Sequence, residues 1–386
     1  MFQKIRRSLA ARWWRMTSHR ALSHHCAQLQ EILNHQPASR KMLIFPPGLD
    51  WQAQLFQRPQ QLARALAALD VLVFYVQPEH SRRFSGRRFS GFKQLEDNLY
   101  LAHTPLETFQ ILDRPWVHAF TWNQAYLMRL PGTRVLYDYV DDLQAFEGRL
   151  SDLQQKHRWL LQHARIVLAT AQRLYQQVQA DRPDALLCPN GVDYERFAPL
   201  KDLQPEALPQ DLASIRGKDR TTIGYYGALA RWLDYDLLRE LVSKRKQLSF
   251  VLIGPDHDGT LAASGLLASE NVHWLGAKPY DQMPRYLQGF DVAMIPFRLN
   301  EITHATSPLK LFEYFAGGKP VVATPMQESA RYPGVLTASE ATGFARQIEH
   351  ALELRHDPDY LRTIDQVARQ NTWQQRARQI LDAMGD

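Results

Sequence analysis

Two α/β domains in tandem, each on its own parallel sheet, are the fold this sequence predicts. Three observations carry the prediction. At 386 residues the chain is long for one hydrophobic core and of ordinary size for two. Short apolar runs that stop at Gly or Pro alternate with helix-period segments over residues 42–198, and the alternation starts again at residue 220. Between the two series, residues 199–219 hold Pro199, Pro205 and Pro209 with several charges and no strong period, which marks a linker.

Composition narrows the class. With 45% hydrophobic and 22% charged residues, the chain has the make-up of a soluble globular protein. No run of about 18 apolar residues is present, so no spanning helix is expected. The basic start is not followed by an unbroken apolar core, so no secretory leader is expected. Cys26 and Cys188 offer neither metal-ligand spacing nor a disulfide framework, which fits a reducing cytoplasm. A net charge of +6 favours anionic partners such as sugar nucleotides or lipid headgroups. Nucleic acid is not expected, because the basic residues cluster at the N-terminus and in one loop without interleaved aromatics elsewhere.

Residues 1–41 hold eight Lys/Arg against one acid, Glu31. Phe2, Ile5, Leu9, Trp13 and Met16 recur at spacings of three and four, the pattern of a basic amphipathic helix. It is read either as a helix lying on an anionic membrane through residues 1–20 or as a surface helix with solvated arginines. Met42–Phe45 is then a strand stopped by Pro46-Pro-Gly48, Arg58-Pro59 opens a helix, and residues 71–76 form a second strand. This β-loop-α-β start is the unit of a doubly wound sheet, although the loop lacks a G-x-G-x-x-G fingerprint. Gly48 would let a ligand approach the strand end, with Asp50 and Arg58 beside it. Residues 80–98 are basic and polar and read as an exposed loop.

Further strands are expected at 116–120, 134–138 and 165–170, with helices at 151–163 and 171–180. His118, near a strand end, is a candidate catalytic group or a structural hydrogen-bonder. Asp138, Asp141 and Asp142 form an acidic cluster that is read as a sugar-hydroxyl pocket, a helix cap, a base or a metal site. No second ligand group is near, so no metal is expected. A strand from Leu186 ends at a tight Asn190-Gly191 turn. In the second series, strands are expected at 222–226, 248–253, 272–275 and 291–295, and helices at 234–245 and 280–290. The tail, 361–386, reads as helices packing across the domain boundary.

Residues 306–324 carry the densest signal. Ser307 is read as a helix cap and Pro308 as the first helical residue. Gly317, Gly318 and Pro320 stop the helix, and a buried strand follows at 321–324. Lys310 and Glu313 are three apart and share a face just inside the helix N-terminus, where an anion is favoured. A cation for a phosphate and a carboxylate for sugar hydroxyls describe a nucleotide-sugar site. The plainer reading is an ordinary surface Lys/Glu pair.

Four stretches carry a resemblance: Phe56-Gln-Arg-Pro-Gln-Gln-Leu-Ala63, Pro189-Asn-Gly-Val-Asp193 with Phe197, Ile223-Gly-Tyr-Tyr-Gly-Ala228, and Ser307-Pro-Leu-Lys-Leu-Phe-Glu313 with Gly318-Lys-Pro-Val-Val322. In this order and spacing the chain resembles GT-B-fold glycosyltransferases of the large retaining group (family 4-like, group 1), of the capsule, exopolysaccharide or teichuronic-acid type. The resemblance implies two Rossmann-like domains facing a cleft. Residues 42–198 would bind the acceptor through Gly48, Asp50, Arg58, Asp138 and Asp141, and residues 220–360 the nucleotide sugar. It implies Lys310 on the phosphate, Glu313 on the ribose and Gly227 beneath the diphosphate, with Ser307, Pro308 and Leu311 around them. No cofactor or metal is implied.

Two departures stand out. The family often has a second glutamate eight residues before the ribose-binding one, and here that position is Ala305; Glu301 and Asn300, slightly upstream, are the candidates to replace it. A basic residue often follows the glycine loop; here Arg231 is the candidate, or else Trp232 and Asp234 mark a subgroup with other donor contacts. The expected function is transfer of a sugar from a nucleotide donor to a lipid-linked or polysaccharide acceptor in bacterial surface-polysaccharide synthesis. The expected place is the cytoplasm or the inner face of the plasma membrane. The rival readings are a sugar-nucleotide epimerase and a non-catalytic nucleotide-sugar-binding assembly protein.

Overall fold

The computed structural model describes residues 21–37, 40–78, 83–84, 87–146, 148–200, 208–216 and 220–385. The amphipathic pattern at residues 2–16 lies outside them. Contacts divide the chain into two units. The first holds residues 1–53, 59–139 and 148–167; the second holds 54–58, 140–147 and 168–386.

Sixteen strands are described. The first ten are β1 (Met42–Phe45), β2 (Leu72–Val76), β3 (Arg83–Phe84), β4 (Arg87–Arg88), β5 (Gly91–Glu96), β6 (Leu99–His103), β7 (Trp116–Ala119), β8 (Arg134–Tyr139), β9 (Ile166–Ala169) and β10 (Leu186–Leu187). Apart from the small β3-β4 hairpin they form one sheet, ordered β10-β9-β8-β7-β1-β2-β6-β5. The β1–β2, β1–β7, β2–β6, β7–β8 and β9–β10 pairs are parallel. The apolar runs at β1 and β2 are buried almost throughout, as strands covered on both faces must be.

The basic stretch expected as a loop at 80–98 is a loop only in part. Residues 91–96 form β5, an antiparallel edge on β6 with an irregularity between Gln94 and Glu96. Its alternation of half-buried and exposed residues reads as polar, because only one face of an edge strand meets the core. The helix at 21–34 packs here: His25 Nε2 lies 3.0 Å from Ser90 Oγ, and Leu29 is buried.

The second sheet contains β11 (Thr222–Tyr226), β12 (Ser249–Ile253), β13 (Val272–Trp274), β14 (Val292–Ile295), β15 (Val321–Ala323) and β16 (Val335–Thr337). All five pairs are parallel, in the order β13-β12-β11-β14-β15-β16. The stretch read as a linker contains a helix, Gln210–Arg216. Leu212 is buried there against Gly289, where a Cβ would come within 2.3 Å of it. Lys278 Nζ and the Tyr286 hydroxyl hold Asp211 at 2.7 and 2.9 Å. One buried leucine between prolines is too little periodicity to announce a helix.

The tail helices Pro358–Gln370 and Trp373–Met384 bury Ile364, Val367, Ala368, Trp373, Ala377, Ile380 and Met384. They reach back to residues 187–192, where Val192 N–H donates to Asn371 O at 2.9 Å and Gln379 Nε2 to Leu187 O at 3.0 Å. Gly191 therefore lies against the Asn371–Trp373 backbone, with room for no Cβ, rather than in a free turn.

Candidate active site

In an open parallel sheet, ligands bind beyond the C-terminal strand ends where the strand order reverses. In the second sheet that point lies between β11 and β14. Strand β11 runs out into Gly227, whose φ is +128°; a Cβ there would meet Lys310 Cε at 3.0 Å and Nζ at 3.3 Å. Gly227 N–H donates to Ile253 O at 2.9 Å, and the Tyr225 hydroxyl donates to Ala228 O at 2.9 Å, so the glycine loop is fixed on both sides. Gly254, with φ +141°, ends β12 beside it, and a Cβ there would fall 1.9 Å from Gly227 O. Two left-handed glycines are thus what lets the two loops pass this closely.

Lys310 sits in the first turn of helix Leu309–Ala316. Its ammonium lies 5.2 Å from the Tyr225 ring centroid and 5.0 Å from that of Phe297, cation–π distances to residues at the ends of β11 and β14. Burial lowers the Lys310 pKa to about 8, against the attraction of Glu313. Such an ammonium gains when an anion arrives, because a phosphate replaces the hydration that burial removed.

Glu313 is 1% exposed. Its Oε2 accepts from the Tyr226 hydroxyl at 2.8 Å and its Oε1 from the Tyr280 hydroxyl at 2.9 Å. Burial raises its pKa to about 7; the two tyrosine hydrogen bonds and Lys310 oppose the rise, and Asp193 adds to it. Tyr226 N–H also donates to the Tyr314 hydroxyl at 3.0 Å, locking β11 to the same helix. The helix buries Leu311 to Ala316 without a break, so it is apolar nearly all round and keeps only its first turn partly open.

The other predicted donor residues divide. Ser307 does not cap the helix: Pro308 holds the cap position, and Ser307 Oγ accepts from Asn190 N–H at 3.1 Å while its carbonyl accepts from Asn190 Nδ2 at 2.7 Å. Leu311 is fully buried, so its side chain belongs to the core and not to a ligand surface. Asn300 caps the short helix Glu301–His304 through Thr303 N–H at 3.0 Å. Glu301 is exposed and ion-paired with Arg173. Ala305 is fully buried, so a carboxylate at that position would have to enter the core. Arg231 has an exposed side chain and a backbone N–H held by Asp258 at 3.0 Å. Asp234 accepts from Leu237 N–H at 3.0 Å and so caps helix Tyr235–Lys244.

In the first sheet the reversal lies between β1 and β7. His118 does not face solvent there. It is fully buried, with Nε2 2.8 Å from Asp138 Oδ2, itself buried. Its ring lies between Phe45 (centroids 4.6 Å) and Phe120 (5.0 Å, stacked), and Trp122 stacks on Phe120 at 4.5 Å. A small pocket follows this ladder, lined by Gly48, Tyr75, Phe120 and Trp122 among others. Asp50 accepts from Gln52 N–H at 2.8 Å and Gln77 Nε2 at 3.3 Å, forming a loop turn.

Arg58 and Asp141 belong to the second unit. Arg58 is buried and donates to Pro189 O at 3.1 Å, with its guanidinium 6.0 Å from the Trp373 ring. The Asp141 carboxyl is pushed up to about 7 by burial and by Asp142, against Arg58. Asp142 is a cap, accepting from Gln144 N–H at 3.0 Å. Among the described residues, no three of His, Cys, Asp and Glu converge on a possible metal position.

Sequence reasoning missed Tyr280 and the hydroxyl of Tyr226. Tyr226 lies inside a stretch already singled out, but the direction of its hydroxyl follows from strand parity, and that needs the register. Tyr280 stands in a turn with no pattern to mark it.

Residues 220–354 match the family profile described as "Glycosyl transferases group 1". The chain is 26% identical to a protein of Bacillus subtilis (strain 168) named as a teichuronic acid biosynthesis glycosyltransferase, TuaH, over 65% of this chain and 67% of that one. The structure of HepE from Anabaena, in complex with UDP and glucose, is similar at TM-score 0.63 and 16% identity, over 90% of this chain and 100% of that one. Sucrose-phosphate synthase from Thermosynechococcus elongatus is similar at TM-score 0.63 and 16% identity, over 89% and 98%. The profile match covers the sheet that carries Gly227, Lys310 and Glu313, and the structural likenesses extend over both sheets. The chain is thus similar to the group 1 glycosyl transferases over residues 220–354, and its two parallel sheets have the GT-B fold of the solved structures it resembles.

Proposed function

We propose that the enzyme moves a hexose from a nucleotide sugar to a lipid-linked or polysaccharide acceptor in cell-surface polysaccharide synthesis, with the donor diphosphate at Lys310 and the ribose at Glu313. The observation that carries this is the Lys310 ammonium at the strand-order reversal, against Gly227 and over the rings of Tyr225 and Phe297. The UDP and glucose in the HepE complex and the teichuronic acid role in the name of TuaH support the donor and acceptor classes.

The chemistry follows from charge. Cleaving the bond from the anomeric carbon to the diphosphate leaves an extra negative charge on the departing nucleotide. The ammonium of the half-buried Lys310 and a helix N-terminus stabilise that charge more than the ground state, and this lowers the barrier. Glu313 contributes mainly to binding, as an acceptor for hydroxyls. The buried Ala305 takes away the carboxylate a donor sugar would have met, so a retaining outcome has to be carried by the leaving phosphate and the backbone around residues 300–308.

We further propose that the reaction takes place at the inner face of the plasma membrane, held there by residues 1–20; the basic amphipathic pattern supports this. Among the described residues no helix is long and apolar enough to cross a membrane. The test is a thermal-shift screen of UDP-, GDP- and dTDP-sugars, followed by transfer assays with the donor that binds. A stabilising donor that is turned over onto a lipid-linked acceptor by wild type and not by Lys310→Ala supports the reading. Tight binding with no turnover on any acceptor would favour a non-catalytic binder, the reading that Ala305 suggests.

A further inference from the structure

Glu313 is tied to a stretch far from it in sequence. Tyr280, which donates to Glu313 Oε1, opens a short turn at Tyr280–Gln282 and is only partly buried. No strand fixes it. Its ring is held by other rings: Phe56 stacks on it with centroids 5.4 Å apart at 22°, Phe197 meets it edge-on at 6.1 Å, and the Arg196 guanidinium lies 5.6 Å from its centroid. Phe56 lies in the loop ahead of helix Arg58–Ala67, two residues before Arg58. Arg58 in turn donates to Pro189 O at 3.1 Å. The next residue, Asn190, makes two hydrogen bonds to Ser307, at 3.1 and 2.7 Å, just ahead of the helix that bears Lys310 and Glu313.

We propose that Tyr280 is a positioning residue for the nucleotide site, and that Phe56 and Arg58 set the site from a single junction of loop and helix. Phe56 stacks Tyr280 against Glu313, and Arg58, through Asn190 and Ser307, fixes where the helix begins. This rests on the reading of Lys310 and Glu313 as the donor site. A carboxylate offers about four lone-pair positions, and its terminal torsion is broad. Tyr226 and Tyr280 each occupy one position on a different oxygen. They thereby stop the carboxylate from turning and leave one acceptor on each oxygen for an adjacent pair of hydroxyls. Tyr226 is anchored by its strand, so Tyr280 is the adjustable half of this pair.

The test compares the affinities of a nucleoside diphosphate and its 2′-deoxy counterpart, UDP with dUDP and GDP with dGDP, in the full chain. Wild type should prefer the ribonucleotide by about tenfold, the effect of one hydrogen bond to a charged group. Tyr280→Phe should shrink that preference to about twofold by weakening the ribonucleotide alone. Phe56→Leu should give an intermediate loss. In a Glu313→Gln background, Tyr280→Phe should change nothing further. A second readout is the acid limb of binding. The groups facing Glu313 are Tyr226, Tyr280, Lys310 and Asp193; the two tyrosines and Lys310 favour the ionised carboxyl and Asp193 opposes it. Tyr280→Phe should therefore shift the loss of affinity to higher pH.

Equal weakening of both nucleotides by Tyr280→Phe, with a lower unfolding midpoint, would mean that the residue only supports the fold. A preference that Glu313→Gln abolishes and Tyr280→Phe and Phe56→Leu leave intact would overturn the inference while keeping the donor site. Wild-type affinity in both Glu313→Gln and Lys310→Ala, or no binding of either nucleotide pair, would remove the donor-site reading itself.

Discussion

The two sheets reverse their strand order at equivalent points, and the two points are filled in opposite ways. In the first sheet, where β7 next to that point pairs with β8, a histidine and a carboxylate meet at 2.8 Å with no exposed surface and aromatic rings on both sides of the imidazole. In the second, between β11 and β14, a lysine and a carboxylate share a helix turn beside a glycine whose missing side chain makes room for the half-buried Lys310. Both pairs combine a base with an acid at a strand end. The difference is what surrounds them. Side chains close the first site, and their removal should cost folding energy. A missing side chain opens the second, and changes there should cost ligand affinity.

Lys310→Ala tests the second half of that contrast and should have the largest effect, a loss of about 10³-fold in kcat/KM with little change in unfolding midpoint, as when a single transition-state charge contact is lost. Steady-state transfer kinetics and a urea titration measure both. A large fall in stability with unchanged kcat/KM would make Lys310 a core residue like His118 and erase the contrast.

Asp138→Ala tests the first half. It removes the carboxylate that a buried imidazole N–H meets, at a cost of about 3 kcal/mol in unfolding free energy. Nucleotide affinity should stay within about twofold, because the contact that is lost is the one to His118 in the first sheet. Should affinity fall with stability untouched, His118 would have to be returned to the ligand.

Particular residues show why the sequence revealed one site better than the other. Lys310 and Glu313 are three apart on one helix, so their shared face follows from helical period alone. The His118–Asp138 pair joins two strands, and nothing in the chain says that residue 118 stands opposite residue 136 until the β7–β8 register is known. Parallel strands such as β1, β11, β12 and β14 were legible because their apolar runs stop at Gly or Pro, whereas β6, which runs into His103, was not singled out. β5, β16 and helix Gln210–Arg216 were not, because each has too few buried positions to make a pattern. Ser307 misled for a related reason: a serine before a helical run is a good cap on local grounds, and here a tertiary partner, Asn190, takes its hydroxyl.

Gly227→Ala sharpens the comparison by closing the second site in the way side chains close the first. Alanine at φ +128° is strained, and its Cβ would press on Lys310 Cε at 3.0 Å. Together these should cost about 2 kcal/mol. Part should be read as lost nucleotide affinity in calorimetry and part as a lower unfolding midpoint. Unchanged affinity with lowered stability would place the ammonium's working position away from Gly227.

The smallest effect is one of pH, and only the second site should show it in nucleotide binding. The competent form needs Lys310 charged and Glu313 ionised. Burial holds the lysine at about 8 and the carboxyl at about 7. Lowering the pH through 7 protonates Glu313 and removes a hydroxyl acceptor; raising it through 8 discharges Lys310 and removes the phosphate partner. Affinity should therefore peak between the two and fall from that peak roughly 2.5-fold by about half a unit above the lysine value, as the charged fraction falls. Calorimetry in two buffers of different ionisation enthalpy should show proton uptake on binding on the alkaline side, because a bound diphosphate pulls the lysine pKa back up. Lys310→Ala should abolish that uptake and flatten the alkaline limb, whereas Asp138→Ala should leave both as in wild type. An alkaline limb that survived Lys310→Ala would assign the titration to another group and break the link between burial at this turn and affinity.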